Sequence, residues 1–523
     1  MELEKEPRVD QVEGHCSGSR RPSQDQMTST RELLPRPSDD PRDPLNWPLW
    51  LKVSILIQVS SLAALGTFNT AVINPAYGPL AAEFNITTVT ASYQTTVAIG
   101  INGIGPFIWI PFANVYGRRP IYLLTTLIGF ATALACGFTN TFSQLIIARV
   151  FNGLFPVAMA LGPATVNDLF FFHQRGRAMG VFTVALTSGA HFASLVGGPV
   201  GQFLGWRWCF KLTAIMNAVM LVIIFFALPE TLYVRRHNEL TLSATEREVK
   251  LAPTTYLSSL RLWSTYPELK LKLKHFIIPS FKMARYPSVI FPALYYSAQY
   301  SYAAILPAVT VATIFEERYH WGTLQTGLSY GGTFTIGSLV GEFAGGLVLD
   351  KIVASEARRL GRNPEPEVRL KAIWPGAFLV PAGLLIYGFS IQYPTPWFPA
   401  LFGMFIAIFG LQIIATVCYT YPVDCYRREG SEVSQLINFI RQLTGMTVAF
   451  YVVRLCKAIG YQYGFIIFTI LSSFLAFLPM LWLMRYGEAT RKRIGSPKNV
   501  NVFDSVRILG EEETVEADGI EKK

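Results

Sequence analysis

The chain has 523 residues, of which 51% are hydrophobic, 13% aromatic and only 15% charged, with a net charge of +10 and a mean hydropathy of +0.33. About a quarter of a soluble domain is charged, so the composition excludes one and describes a membrane chain. The basic excess does not point to nucleic acid, because the cations lie in short segments between apolar runs rather than on one folded face.

Residues 1–50 read as a disordered cytoplasmic tail, polar and rich in Pro, Ser, Arg and Asp. Up to residue 46 there is no short apolar core of a cleavable signal peptide, so the first helix is expected to act as its own insertion signal. A hydrocarbon core of about 30 Å takes roughly 20 helical residues. Stretches of that length run near 51–76, 90–113, 120–139, 142–167, 178–203 and 210–229, then near 287–313, 323–349, 371–392, 397–421, 433–455 and 461–485. They predict an N-terminal six-helix bundle (51–229), a cytoplasmic linker (230–286), a C-terminal six-helix bundle (287–485) and a cytoplasmic tail (486–523), acidic from Gly510. The two weakest patterns are helix two, which opens with TASYQTT, and helix eight, which is dense in glycine. The six cysteines (Cys16, Cys136, Cys209, Cys418, Cys425, Cys456) have no CxxC spacing and read as free thiols. No metal or cofactor is called for.

Orientation follows from the lysines and arginines. Arg118 and Arg119, Arg175 and Arg177, the stretch from Arg235 to Arg285, Lys351 to Lys371, Arg427 and Arg428, and Arg485 to Lys498 all fall on one side. The other side holds mainly Arg207, Lys211, Arg318, Arg454 and Lys457. Both termini and the linker are therefore expected in the cytoplasm. The sequon Asn85-Ile86-Thr87 falls in the first outward loop, which makes Asn85 a glycosylation candidate. In the linker, the lysines of ELKLKLKHFIIPSFKMARYP alternate with apolar residues, either as a segment lying on anionic lipid or as a solvated strap.

The stretch PFANVYGRRPIYLL (111–124) sets Arg118 and Arg119 side by side in what is expected to be a tight loop between helices two and three. They either only anchor that loop against lipid phosphates or belong to a gate. GGLVLDK (Gly345 to Lys351) is expected to end helix eight as PFANVYGRR ends helix two. Aligning Asn114 with Asp350 also carries Leu51, the start of helix one, onto Pro287, the start of helix seven. Duplication of a six-helix unit explains that offset.

Further motifs follow in order: ARVFNG in helix four, FHQRGRAMG between helices four and five, GGPVGQFLGWRW ending helix five, LPET closing helix six, DCY after helix ten and NFIRQLTG in helix eleven. With DPLNWPLW at the start and NVYGRRP between helices two and three, the chain resembles the major facilitator superfamily, and within it the fungal twelve-helix drug:proton antiporter group. The resemblance implies an all-α polytopic protein whose twelve helices form two pseudo-symmetric bundles rocking about a central site. It implies a secondary transporter, expected to be a monomer, with protons, membrane lipid and a small organic molecule as partners. The plasma membrane is expected, with a vacuolar or vesicle membrane as the alternative.

Where Asn114 stands, the family usually has an acid that pairs with the following arginine and caps a helix of the other bundle. Asn114 supplies hydrogen bonds without charge, so with Gly117, Arg118 and Arg119 it is expected to form a weaker latch. Asp350 is then the only acid of the matched pair. Gly198, Pro199 and Gly201 remove bulk and break the hydrogen-bond ladder late in helix five. They form either a packing notch or the family's antiporter signature, from which this chain departs by its shorter spacing and by Gln202 in place of a further glycine.

Charges inside a bilayer are costly unless they face protein or water. Arg149 in helix four matches the family arginine assigned to proton exchange; alternatively it bonds carbonyls of a neighbouring helix. His191 in helix five titrates near neutral pH when unperturbed, or is a satisfied core histidine. Glu342 in helix eight and Arg441 in helix eleven lie at similar depth and are expected to pair. In this fold the cavity is expected between helices one, four, seven and ten, to which the chain brings Asn69, Asn152, Tyr295, Tyr296, Gln299, Tyr300, Gln412, Tyr419 and Asn438. An aromatic and amide lining suits an amphipathic organic compound, a drug, toxin or secondary metabolite, better than a sugar. No His is followed by Glu and no Gly-Lys dipeptide occurs, which argues against a zinc protease and a P-loop pump. Efflux is expected; import of small organic cations or nutrients, or a non-transporting sensor, are the alternatives.

Overall fold

A computed structural model describes residues 42–233, 274–361, 365–426 and 429–495. The expectations for residues 1–41, 234–273 and 496–523, and for Cys16, Arg427 and Arg428, lie outside the described residues. Twelve long helical segments, and no strand, occur among the described residues. They are α1 (Leu49–Ala71, prolonged by a 3-10 turn and a short helix to Phe84), α2 (Thr88–Tyr116), α3 (Arg118–Gly137), α4 (Phe142–Leu169), α5 (Phe172–Phe203), α6 (Trp206–Ala227), α7 (Pro287–Tyr319), α8 (Thr323–Leu360), α9 (Trp374–Gln392), α10 (Trp397–Cys425), α11 (Gly430–Ile459) and α12 (Tyr461–Ile494). Eleven are long and apolar enough to cross a membrane. The remaining one, α8, is the longest at 38 residues, but its glycines and hydroxyl residues dilute its hydropathy. We call the face where α1 begins the near face and the opposite one the far face.

Local chemistry explains the irregularities. Asp43 caps the turn Pro44–Asn46 through the N–H of Leu45, and Lys52 Nζ donates to the Leu45 carbonyl at 2.8 Å, which docks DPLNWPLW onto the start of α1. Around Pro156, which has no N–H to donate, α4 breaks between Gly153 and Ala158, and the Leu154 carbonyl accepts from Trp109 Nε1 at 2.9 Å. In α7 a π turn spans Ser301–Ile305, and in α12 another spans Ile470–Leu475. There the Ser472 carbonyl is free to accept from Gln299 Nε2 at 2.9 Å.

The first six helices pack as one bundle, through α1 on α5, α3 on α6 and α2 on α4; the last six form the other, through α9 and α8 on α10 and α7 on α11. The bundles meet along α5–α8 and α2–α11. At the far face α5 is wedged between α1 and α8. A side chain at Gly198 would lie 2.8 Å from Gly327 Cα, and one at Gly201 would lie 2.8 Å from Ala76 Cβ and 3.1 Å from Thr323 Cγ2. Gly197 meets the Val72 carbonyl. The Gly-Pro stretch is thus a contact notch that lets backbones approach. The far half of α7 adds to the seal, with Thr313 Oγ1 donating to Thr88 Oγ1 at 2.8 Å. The seam between α2 and α11 continues toward the near face, where Phe107, Phe439 and Phe281 of the linker helix Lys274–Lys282 meet at 5.3–5.5 Å. Ser280 in that helix is buried and donates to Gln435 Oε1 at 2.8 Å, so the end of the linker packs on protein while Ile278 stays exposed.

The glycine notch predicts that Gly327→Val forces α5 and α8 apart at the far face. A cysteine introduced at Thr323, buried in the closed seam, then reacts several-fold faster with a water-soluble maleimide in the G327V background than alone. Equal rates argue against close backbone contact as the seal.

Candidate transport site

In the N-terminal bundle the site is built around Arg149, which is fully buried. Its Nε donates to Gln94 Oε1 on α2 at 2.6 Å, Nη1 to the Asn69 carbonyl at 3.0 Å and to Asn152 Oδ1 at 3.1 Å, and Nη2 to the Thr70 carbonyl at 2.9 Å. Phe210 of α6 covers it, with ring centroid 5.1 Å away. Asn69 Nδ2 donates to Asn152 Oδ1 at 2.7 Å, so Asn69, Arg149 and Asn152 form one network, continued through Gln94 to Thr95 and Tyr77. All of its acceptors are neutral. Arg149 thus bonds carbonyls of the neighbouring α1. His191, on α5, is buried edge-on against Phe334 of α8 at 5.1 Å, on the seam between bundles.

In the C-terminal bundle the expected residues divide. Tyr295 packs on Phe477 of α12, and Gln299 bonds the Ser472 carbonyl and Ser473 Oγ, so both turn away from the interior toward α12. Gln412 donates to Ser338 Oγ and holds α10 to α8. Tyr296, Tyr300, Tyr419, Asn438 and Arg441 come together from α7, α10 and α11, with Tyr296 5.4 Å from Tyr419 and 6.1 Å from Tyr300. Arg441 lies over the Tyr300 ring at 4.3 Å and donates from Nη2 to Asn438 Oδ1 at 2.8 Å. The expected Glu342–Arg441 pair does not form: among the described residues no ion pair joins them. Equal depth in two helices is not equal azimuth; Arg441 turns toward α7, where the tyrosines hold it.

The near face differs from expectation in three ways. Arg118 and Arg119 are not loop residues but the first turn of α3, 3% and 1% exposed. Gly117, at φ +100°, makes the whole connection between α2 and α3 in one residue. Asn114 makes no hydrogen bond among the described residues; the acids come from elsewhere. Glu230, from LPET, accepts the N–H groups of Arg118 at 3.0 Å, Arg119 at 3.1 Å and Leu232 at 2.8 Å. Arg118 pairs with Asp168 at the end of α4, and Arg119 donates to the Phe225 carbonyl at 2.7 Å. Burial pushes the Glu230 carboxyl above the ordinary range, while those three N–H groups and Arg118 pull it down. Finally, α8 does not end after Asp350. The offset that pairs Asn114 with Asp350 sets Val353 where Gly117 stands, so the helix runs on to Gly361 and leaves Asp350 exposed.

The second half has its own near-face joints: Arg369 pairs with Asp424 at 2.5 Å, and Arg491 with Glu365 at 2.7 Å and Glu367 at 3.0 Å. Glu230, Asp168 and Gln94 were not singled out as site residues in the sequence. Asp168 lies just past the predicted end of helix four, and Glu230 past that of helix six, where a carboxylate reads as solvated.

The profile of the Major Facilitator Superfamily matches residues 59–449. The chain belongs to that superfamily. The MFS-type transporter penM of Penicillium rubens is 26% identical over 466 residues, covering 88% of this chain and 89% of its own. The cycloheximide resistance protein of Candida maltosa is 28% identical over 412 residues, covering 75% and 71%. In fold, the chain matches an inward-facing bacterial homologue of the human lysosomal transporter Spinster with TM-score 0.60 at 15% identity, covering 85% of this chain and 99% of that one. The xylose transporter XylE of E. coli gives 0.59, also at 15% identity, covering 83% and 99%. As a superfamily member the protein is a secondary transporter and not an enzyme, with two six-helix bundles of the major facilitator fold.

Two stability predictions follow from its buried charges. Arg149→Lys keeps the charge but not the planar fork that reaches α1, α2 and α4 together; it is expected to destabilise the protein by about 1–3 kcal/mol, read as a lower midpoint in thermal unfolding of the purified protein. Glu230→Gln turns an amide NH2 toward one of three backbone N–H groups, with an expected cost of about 1–3 kcal/mol. An unchanged midpoint for E230Q removes Glu230 as the cap of α3.

Proposed function

We propose that this protein exports amphipathic organic compounds from the cytosol by proton-coupled alternating access at the plasma membrane, acting as a monomer. The observation that carries the reading is the asymmetry of the two faces. At the far face α5 lies between α1 and α8 through glycine contacts and α7 meets α2 through Thr313–Thr88, whereas toward the near face the bundles meet through the rings of Phe107, Phe439 and Phe281. The ion pairs of both faces, Arg118–Asp168, Arg369–Asp424 and Arg491–Glu365 as well as Arg207–Glu83 and Lys457–Glu317, each stay within one bundle. With the near face assigned to the cytosol by the positive-inside rule, this is the state in which a carrier collects cytosolic cargo. Asn85, exposed beside the far face, is consistent with that assignment and remains a candidate for glycosylation.

Names of relatives support the direction: the efflux pump radE of Floropilus chiversii is 26% identical over 460 residues, and the Candida maltosa relative is named for resistance. The tyrosine wall of α7 and α10 suits a flat organic body. For the proton we favour Glu342, a half-buried carboxyl midway along α8 with no ion pair among the described residues.

The test is transport in proteoliposomes with a lipophilic fluorescent cation, an uncharged dye and an organic acid as cargo. An imposed proton gradient is expected to drive accumulation of at least one of them, and a protonophore to abolish it. Glu342→Gln is expected to lose the gradient-driven part while exchange of cargo across the membrane without a gradient persists. Accumulation indifferent to the protonophore overturns proton coupling, and gradient-driven accumulation by E342Q equal to wild type removes Glu342 from it.

A further inference from the structure

Two arginines lie midway along membrane-spanning helices, Arg149 buried and Arg441 half-buried, and their surroundings are opposite. Every group of Arg149 that donates does so to a neutral oxygen fixed by the fold. Arg441 donates to Asn438 Oδ1 and lies within hydrogen-bonding reach of the Tyr300 and Tyr419 hydroxyls, while its Nε is buried with no partner. Its neighbours are the rings of Tyr300, Tyr296 and Tyr419, and no ion pair with a carboxylate is found for it among the described residues. Asn438 and Arg441 share a helix face with Gly445, spaced i, i+3 and i+7. At Gly445 a side chain would press on Ile305 and Tyr300 of α7 (3.2 and 3.7 Å) and on Ile99 of α2 (3.8 Å), so this face is turned to α7 and packed closely at Gly445. Tyr300, Tyr419, Asn438 and Arg441 are all half-buried, so the space beside the guanidinium is accessible.

Glu342 also lacks an ion pair among the described residues. Chemistry separates the two. A carboxyl in a low-dielectric place can discharge by taking a proton; a guanidinium keeps its charge under all ordinary conditions. Arg441 is therefore the group that demands a counter-ion. The cation–π contact with Tyr300 holds its plane in position, and a planar guanidinium matches a carboxylate.

We propose that Arg441 docks an anionic group of the cargo, and that the preferred substrates are aromatic organic acids, carboxylates or acidic phenols, whose rings lie against Tyr296, Tyr300 and Tyr419. This names the substrate class of the exporter above and rests on that reading.

The experiment compares three probes with one fluorophore and different charge: dansylglycine, its methyl ester and dansylcadaverine, titrated onto the full-length protein in lipid nanodiscs. Dansylglycine is expected to bind about tenfold or more tightly than the ester, the worth of a charge-assisted contact. Arg441→Gln is expected to erase that preference, so that acid and ester bind that variant alike. Arg441→Lys, which keeps the charge, is expected to retain part of it, and serves if R441Q fails to fold. Glu342→Gln is expected to keep the preference. Equal affinity for acid and ester, a preference that survives R441Q, tightest binding of the amine with its loss in E342Q, or binding of none of the three overturns the proposal. The same probes in proteoliposomes separate it from the export reading. Ester exported with no preference for the acid refutes Arg441 as an anion site and leaves export standing. Acid bound with preference but no probe exported refutes export and leaves the site.

Discussion

The fold depends on the cost of a charge in a place without water. Arg149 meets it with donors to acceptors on α1, α2 and α4, so one side chain, with the Asn69–Asn152 and Asn102–Thr70 bonds beside it, sets the mutual position of three helices. Hydrogen bonds to a charged group contribute about 1.5–3 kcal/mol each, while leaving the guanidinium unsatisfied costs more than any one of them returns. Asn152 and Asn69 take their orientation from it, and the rigid N-terminal half follows.

At the near face the same constraint acts on helix ends. The first N–H groups of α3 lack intrahelical acceptors, and the Glu230 carboxylate supplies them. The duplicated halves solve the problem with related joints. Arg118–Asp168 ties α3 to α4, and Arg369–Asp424 ties the start of the ninth helical unit to α10. Where the first half brings an acid from beyond α6 to the start of α3, the second brings Arg491 of α12 to Glu365 and Glu367 ahead of α9. Polarity is inverted while topology is kept. These joints stiffen each bundle and place no ion pair across the seam among the described residues, which suits rigid-body rocking.

The seam itself is made differently on the two sides. Toward the far face, glycine backbones of α5 and α8 touch, a contact that forms only at close approach and breaks over a small displacement. Toward the near face, aromatic rings of α2, α11 and the linker helix meet. Rings slide and tilt at similar energy, so that contact tolerates relative motion better than the glycine notch does.

Composition, hydropathy and the placement of lysine and arginine determined the class of protein, the twelve helices to within a few residues at most ends, and the six-plus-six division, because each is a property of a segment and of the solvent it meets. Even the long α8, weak in hydropathy, was legible through its place in the repeat. The sequence also brought the right residue types to the interior. It did not determine their partners. Arg118 and Arg119 read as loop cations and are buried because Glu230 and Asp168, 112 and 50 positions away along the chain, reach them. Glu342 and Arg441 match in depth yet face different neighbours, and Tyr295 and Gln299 leave the cavity while Tyr296 and Tyr300, one residue on, stay. Those choices turn on azimuth about a helix axis, where one residue is about 100°, and on which helix packs alongside; only the tertiary structure decides them.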